Sequence, residues 1–102
     1  MIKLIVLTAV KELEKDAISL LKKAGLLTWS AINMEGHKQH SENHPEQNWF
    51  SSSHNNVDSV LLFSFTENGK IESLISLLND FNKNADCTNP IRLAVMNVEQ
   101  FI

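Results

Sequence analysis

The chain opens with MIKLIVLTAVKELEKDAISLLKKAGL, residues 1–26, and this stretch decides the fold. Residues Ile2–Leu7 carry apolar side chains on both faces of an extended strand, which indicates burial on both sides and a central place in a sheet. A helix over Ala9–Ala24 follows, because apolar residues recur there at helical spacing. We expect Thr8 to cap that helix and Gly25 to end it.

Three further strands and a second helix are predicted from the same kinds of pattern. Leu26–Met34 alternates as a strand with one buried face, whereas Val57–Thr66 is apolar on both faces and predicts a second central strand. Ile71–Phe81 has a helical apolar stripe, and Ile91–Val98 is the last strand. The order β-α-β-β-α-β with right-handed crossovers predicts a ferredoxin-like α+β fold in one domain, residues 1–102, with a four-stranded antiparallel sheet and both helices on one face.

Helices on one face would leave the other face of this sheet uncovered. We expect the uncovered face to carry Ile5 and Leu7 with several of Val60, Leu62, Leu93 and Val95. A patch of that size exceeds what a soluble monomer usually exposes. It favours self-association, sheet face to sheet face, with closed symmetry, and the alternative is that a loop folds back over the patch.

Composition and charge exclude several kinds of partner and compartment. The formal net charge of −3 argues against nucleic acid as the main partner, because phosphate binding needs clustered Lys and Arg. Cys87 is the only cysteine, so no intramolecular disulfide is expected and nothing indicates an oxidising compartment. No apolar run approaches the roughly 18 residues of a membrane span, and the opening residues lack a signal-peptide pattern. We therefore expect a cytoplasmic protein.

A long polar segment, EGHKQHSENHPEQNWFSSSHNN, separates the second and third predicted strands at residues 35–56. It holds all 4 histidines of the chain. A connection of this length inside a compact domain is uncommon and is usually either functional or disordered. We interpret it as a long functional loop on a rigid scaffold.

The spacing of the histidines in this loop predicts a metal site. His37, His40 and His44 would fall on one face of a helical turn, and Glu42 with His54 could complete the shell. Neutral imidazoles suit Zn, Cu or Ni. The alternative is a polar loop with ordinary surface histidines.

Trp49 and Phe50 are the large apolar side chains of the loop and are candidate anchors for a partner protein. The alternative is that they pack back on the scaffold.

Catalysis has little support, because no acid–base pair converges and nothing places Cys87 beside a histidine. We therefore expect no enzymatic activity.

Four segments and the second predicted helix carry a resemblance that extends over most of the chain. The segments are residues 1–26, NMEG at 33–36, VDSVLLFSF at 57–65 and IRLAVMNVEQFI at 91–102. With them the chain resembles the PII signalling protein superfamily, and Val95, Val98 and Glu99 sit as in that family's last strand. It implies the fold of nitrogen regulatory PII and CutA-like proteins, a homotrimer, and a T-loop formed by residues 35–56.

The resemblance also implies binding of ATP and 2-oxoglutarate through glycine-rich turns and basic residues. The segment before the last strand is here NADCTNP, residues 84–90, without the Thr-Gly-x-x-Gly-Asp-Gly-Lys pattern. Without glycines the backbone does not easily wrap a phosphate, so ATP binding of the usual kind is not expected.

The features together predict a non-enzymatic, PII-like regulatory or sensor protein. Its loop at residues 35–56 would bind a metal ion or small ligand, change its order, and thereby regulate a membrane transporter or metal efflux pump. The alternative is an adenine-nucleotide-responsive sensor of the same fold, with its ligand in clefts between subunits.

Overall fold

The computed structural model describes residues 1–37, 56–84 and 89–102. The elements follow the predicted order, with a short 3₁₀ turn added before the first helix. They are β1 (Ile2–Val10), the 3₁₀ turn (Lys11–Leu13), α1 (Glu14–Lys23), β2 (Ser30–His37), β3 (Asn56–Glu67), α2 (Asn68–Asn84) and β4 (Arg92–Asn97). The predicted α+β class is confirmed.

The strands form a 4-stranded antiparallel sheet in the order β2-β3-β1-β4. β1 and β3 occupy the centre, as the apolar residues on both of their faces predict. Their pairing runs without interruption from Ile2 opposite Glu67 to Val10 opposite Ser59. The ferredoxin-like topology predicted from the order of the elements is therefore confirmed.

The first helix begins later than the sequence pattern predicts. The β1 ladder continues through Thr8, Ala9 and Val10, each of which pairs with a residue of β3. Thr8 therefore lies in the sheet and does not cap a helix, and α1 starts at Glu14 after the 3₁₀ turn. The β-branched side chains of Thr8 and Val10 suit an extended backbone, which explains why the strand extends past its predicted end.

Gly25 ends α1 as predicted, through hydrogen bonds that require its backbone conformation. Its φ of 90° lies in the left-handed region, where a residue without Cβ is favoured. The N–H groups of Gly25 and Leu26 donate to the carbonyl oxygens of Lys22 and Leu21, each at 3.0 Å. This is the Schellman arrangement, and it satisfies carbonyls that the helix itself leaves unpaired.

The two helices share one hydrophobic core with the sheet. Its buried members include Ile5, Leu7 and Ala9 of β1, Val60 and Leu62 of β3, Ala17, Leu20 and Leu21 of α1, and Ile71, Leu74 and Leu78 of α2. Because successive residues of a strand point to opposite faces, the alternate residues of the sheet lie on the side away from the helices. We call that side the free face; it carries Leu4, Val6, Thr8, Ile32, Met34, Leu61, Phe63, Phe65, Arg92, Ala94 and Met96.

The predicted assignment of the two faces is thus wrong. Ile5, Leu7, Val60 and Leu62 are each 0% exposed beneath the helices. Leu93 and Val95 share their face, because they pair with Leu7 and Ile5 in the β1–β4 ladder. Both faces of β1 and β3 are apolar, so strand alternation separates two sets of residues but does not tell which set the helices cover.

β2 is displaced along the chain relative to its prediction. It begins at Ser30 rather than Leu26, because buried Leu26 completes the cap of α1. Leu27, which lies within the predicted strand Leu26–Met34, is outside β2 and is 85% exposed. At its other end β2 runs to His37, and β3 begins at Asn56, so the predicted loop limits at 35 and 56 lie within strands.

The remaining elements differ from their predictions only at their ends. α2 follows β3 directly at Asn68 and extends to Asn84, beyond the predicted Ile71–Phe81 on both sides. β4 is one residue shorter at each end than the predicted Ile91–Val98. In the part of the chain that the structure describes, no helix is long and apolar enough to span a bilayer.

Candidate functional site

Most of the predicted site residues lie outside the described part of the chain. They are His40, His44 and His54 of the predicted metal site with Glu42, the aromatic pair Trp49 and Phe50, and Cys87. The roles predicted for these side chains therefore stay predictions.

His37 is the one predicted metal ligand that the structure describes. It ends β2, and its Nε2 lies 2.9 Å from Oε1 of Glu35, with the two side chains 64% and 56% exposed. A polar contact this exposed contributes little to stability. Among residues 1–37, 56–84 and 89–102, no three His, Cys, Asp or Glu side chains come close enough together to hold a metal ion. The described strands alone therefore do not form a metal centre.

A polar pair on the free face marks a different candidate site. Thr8 of β1 and Arg92 of β4 are opposite each other in the ladder, so their side chains lie side by side on the same face. Thr8 is only 2% exposed. Within the described residues, neither Oγ1 of Thr8 nor Nε of Arg92 has a hydrogen-bond partner, although both atoms are buried. Such atoms are rare in folded proteins, and each costs about 1–3 kcal/mol.

The chemistry of this pair suits an anion. The guanidinium is always charged and donates several N–H groups in a fixed plane, and the hydroxyl donates one more hydrogen. No carboxylate of the described residues forms an ion pair with Arg92. An oxygen anion that reached these two atoms, which have almost no accessible surface in the single chain, would accept hydrogen bonds from both side chains, and bonds of this charged kind are the strong ones.

The Thr8–Arg92 pair lies at the edge of the sheet to which the long loop is attached. β2 ends there at His37, β3 begins there at Asn56, and β1 reaches the same edge at Val10. β4 also begins at this edge, with Arg92 as its first residue. A ligand held by Thr8 and Arg92 would therefore occupy the same edge as both attachments of residues 38–55.

Ser59 places a second buried hydroxyl at this edge, opposite Val10 in the β1–β3 ladder. Unlike the hydroxyl of Thr8, it has a partner, because its Oγ donates to the carbonyl oxygen of Val57 at 3.2 Å. The two hydroxyls therefore differ in whether the described residues satisfy them. That difference points to Thr8 rather than Ser59 as the group left for a ligand.

The rest of the free face is apolar and partly open. Ile32, Phe65 and Met96, on three different strands, are 51%, 44% and 42% exposed. Phe101 packs edge-to-face on Phe65 with 5.0 Å between ring centroids, and it remains 57% exposed itself. Large apolar side chains exposed on several strands of one face are typical of an interface between proteins.

The local sequence patterns do not select Thr8 or Arg92 as site residues. The one available signal is that Arg92 is the only arginine of the chain and comes directly before the apolar run Leu93–Met96. Its position beside Thr8 depends on the register between β1 and β4, which lie more than 80 residues apart in sequence. Only the folded sheet brings the two together.

Solved structures, rather than sequences, show what this chain is similar to. No protein-family model matches it, and no curated protein matches it. CPII, a nitrogen regulatory PII-like protein from Thiomonas intermedia K12 bound to ADP, AMP and bicarbonate, is 12% identical with a TM-score of 0.63; the match covers 99% of this chain and 96% of CPII.

Two further solved structures have the same architecture. A PII-like protein from Thermus thermophilus is 15% identical with a TM-score of 0.60, over 95% of this chain and 86% of that protein. A DUF3240 family protein from Shewanella baltica is 17% identical with a TM-score of 0.61, over 98% and 92% of the two chains. At sequence identities this low the matches show similarity of fold only. They extend over nearly the whole length of each chain. The chain therefore has the fold of the PII-like proteins, which confirms the resemblance predicted from its sequence.

Proposed function

We propose that this chain is a divergent PII-like regulatory protein that binds a small anionic ligand, with an adenine nucleotide as the first candidate. The observation that carries this proposal is the Thr8–Arg92 pair, whose buried Oγ1 and Nε lack partners among the described residues. CPII, which shares the fold, has been solved with ADP, AMP and bicarbonate. All three are oxygen anions, and this supports an anion as the ligand here.

The energetics of the pair favour a ligand at this position. An anion that accepts from Arg92 and Thr8 would satisfy two atoms that are otherwise buried at a cost. A hydrogen bond to a charged group contributes about 1.5–3 kcal/mol, which corresponds to about 10- to 100-fold in affinity. Loss of the Arg92 guanidinium should therefore weaken binding by an amount that calorimetry can measure.

The missing glycine-rich turn changes how such a ligand would be held. Residues 84–90 contain no glycine, so the backbone there is poorly suited to wrap a phosphate group. Side chains must then supply the contacts to the anion, and Arg92 is the only guanidinium in the chain. We infer that this protein recognises its anion through Arg92 and Thr8 rather than through backbone N–H groups.

We infer that the free face is buried between three copies of the chain. Its exposed apolar residues support an interface, and the trimer itself follows from the resemblance to PII proteins. Thr8 and Arg92 lie on this same face, so the ligand would occupy clefts between subunits. Assembly and ligand binding would then depend on each other.

The segment at residues 35–56 would report the bound ligand to a partner. We propose a membrane transporter or efflux pump as that partner, with Trp49 and Phe50 as contacts and with no catalytic step in the protein itself. A change of order in a loop is a common switch of this kind. We place the protein in the cytoplasm, where such a loop would meet the inner side of a transporter.

Calorimetry with ATP, ADP, AMP and bicarbonate tests the anion site. We expect the wild type to bind at least one of them and Arg92→Ala to bind it about 10- to 100-fold more weakly. Arg92→Lys keeps the positive charge but lacks the planar guanidinium, so its affinity should lie between those of the wild type and Arg92→Ala. Lys15→Ala removes an equal charge from an exposed position of α1 and should bind like the wild type. A wild type that binds none of these anions, or an Arg92→Ala variant that binds them equally well, would contradict the proposal.

A metal ion is the second candidate for what the loop senses. The position of His37, exposed at the base of the loop beside Glu35, favours it. Zn, Cu and Ni would be held by His37, His40, His44 and His54. Titration of each metal against the wild type and against a variant with His37, His40 and His44 changed to Ala tests this version. Equal binding by the two proteins, or binding by neither, counts against a metal site.

A further inference from the structure

The side chain of Asn82 ties the chain segment that leads into Arg92 to α2. Asn82, near the end of α2, pairs its amide with the backbone of Ile91. Its Nδ2 donates to the carbonyl oxygen of Ile91 at 2.9 Å, and the N–H of Ile91 donates to its Oδ1 at 3.0 Å. One side-chain amide therefore satisfies both backbone polar groups of one residue, as a neighbouring strand would do.

Ile91 is held by its own side chain as well. That side chain is 1% exposed and belongs to the hydrophobic core. The ladder between β1 and β4 begins at Arg92, opposite Thr8, so Ile91 lies one residue before the first ladder pair. Asn82 thus acts as the strand partner at the point where the ladder stops, and it holds the backbone from which Arg92 projects.

We propose that Asn82 is a positioning residue of the ligand site, which holds the backbone at Ile91 so that Arg92 and Thr8 present their polar atoms to the ligand together. This inference rests on the proposed function and deepens it, because Asn82 lies on a helix and not on the free face. Binding sites work only when their groups are held to within about 0.5 Å. Loss of both hydrogen bonds at Ile91 frees the backbone next to Arg92, and the guanidinium then loses its fixed position.

A purely structural role for Asn82 is the competing explanation. Either role predicts that Asn82→Ala lowers the unfolding temperature, so stability alone does not distinguish them. They differ in what happens at Arg92. A positioning role requires that the substitution act through the guanidinium, whereas a structural role affects binding only as far as it unfolds the protein.

The guanidinium can be observed directly without any ligand. Because Arg92 is the only arginine, its Nε–H gives a single side-chain signal of this type in a ¹H–¹⁵N spectrum. We expect Asn82→Ala to shift this signal and to speed its hydrogen exchange severalfold. Asn79→Ala, at an exposed asparagine of the same helix, is the matched control and should leave the signal unchanged. An Arg92 signal with the same shift and exchange rate in the wild type and in Asn82→Ala would overturn the proposal.

A double-mutant cycle on ADP affinity provides the second measurement. The affinities are measured by NMR titration, which gives access to millimolar dissociation constants. Asn82→Ala should weaken binding about tenfold in the wild-type background and have little effect when Arg92 is already Ala, because Asn82 acts through Arg92. No loss of affinity, or an equal loss in both backgrounds, overturns the inference and leaves the anion site intact. If the wild type does not bind ADP, the nucleotide version of the proposed function fails, and the Arg92 signal still decides the role of Asn82.

Asn82→Asp keeps the inference testable if the Ala variant does not fold. Its carboxylate still accepts from the N–H of Ile91, but the oxygen that replaces Nδ2 cannot donate and faces the carbonyl oxygen of Ile91, which repels it. We expect its Arg92 signal and its ADP affinity to depart from those of the wild type in the same direction as in Asn82→Ala. An Asn82→Asp variant that matches Asn79→Ala in both measurements would overturn the proposal equally.

Discussion

Replacement of Thr8 by valine should stabilise the ligand-free protein while weakening its binding of a ligand. Valine keeps the β-branched shape that suits β1 and removes only Oγ1, which is buried and has no partner among the described residues. An unsatisfied buried polar group costs about 1–3 kcal/mol, and a methyl group in its place removes that cost. We therefore expect the free energy of unfolding to rise by at least about 1 kcal/mol.

Thermal unfolding measures the first half of this prediction. In a domain of roughly 100 residues, about 1 kcal/mol corresponds to a rise in Tm of about 4–8 °C. The protein concentration must be equal for all variants, because assembly makes Tm depend on it. Ser59→Ala is the matched control at the same edge of the sheet. Its hydroxyl already donates to Val57, so its removal should lower stability rather than raise it.

Calorimetry with ADP measures the second half. Loss of one neutral hydroxyl donor should cost about 0.5–1.5 kcal/mol of binding, which weakens the affinity about 2- to 10-fold. A Thr8→Val protein that unfolds at a lower temperature than the wild type would show that the hydroxyl is already bonded without ligand. Higher stability with unchanged ADP affinity would instead remove Thr8 from the ligand site. Only opposite changes in the two measurements agree with the proposed anion site.

Two further substitutions test the assembly and the helix cap. Phe65→Asp puts a charge on the exposed part of the free face and should convert the oligomer to monomers by light scattering, whereas Leu27→Asp, outside the sheet, should leave the mass unchanged. A wild type that is already monomeric at micromolar concentration would contradict face-to-face assembly. Gly25→Ala should lower the free energy of unfolding by about 1 kcal/mol in urea, because a Cβ is strained at φ 90° even though the nearest atom, Cε of Lys70, is 3.9 Å from it. Gly69→Ala, where a Cβ meets open space within α2, should be neutral or stabilising, so an equal loss in both variants would refute the conformational explanation.

Local patterns predict most of the scaffold because each element carries its own period. The central strands β1 and β3 are apolar on both faces, and the helix stripes recur at helical spacing, so the order and type of the elements could be predicted. The boundaries could not. Thr8 is a good helix cap in isolation, yet three additional pairs with β3 keep residues 8–10 in the strand. The sequence pattern predicts Leu26 as the first residue of the second strand, whereas in the structure its N–H closes the cap of α1.

The candidate site, unlike the scaffold, could not be predicted from local sequence patterns. A cluster of histidines at residues 37–54 is conspicuous in the sequence, and it suggests a metal, but of these only His37 lies in the described strands, where it pairs with Glu35. Arg92 is inconspicuous except as a single arginine, and Thr8 suggests a cap. Their significance depends on burial without partners, which is a property of surroundings and not of residue type.

Composition and periodicity alone settled the α+β class, the order of the elements and the central place of β1 and β3, because those features depend on residues close together in the chain. The tertiary structure decided which face the helices cover, and it decided that Thr8, Arg92 and Asn82 converge near one edge of the sheet. Both decisions depend on contacts between distant segments. Two apolar faces look alike until one of them is packed, and a polar atom lacks a partner only once the chain around it has folded.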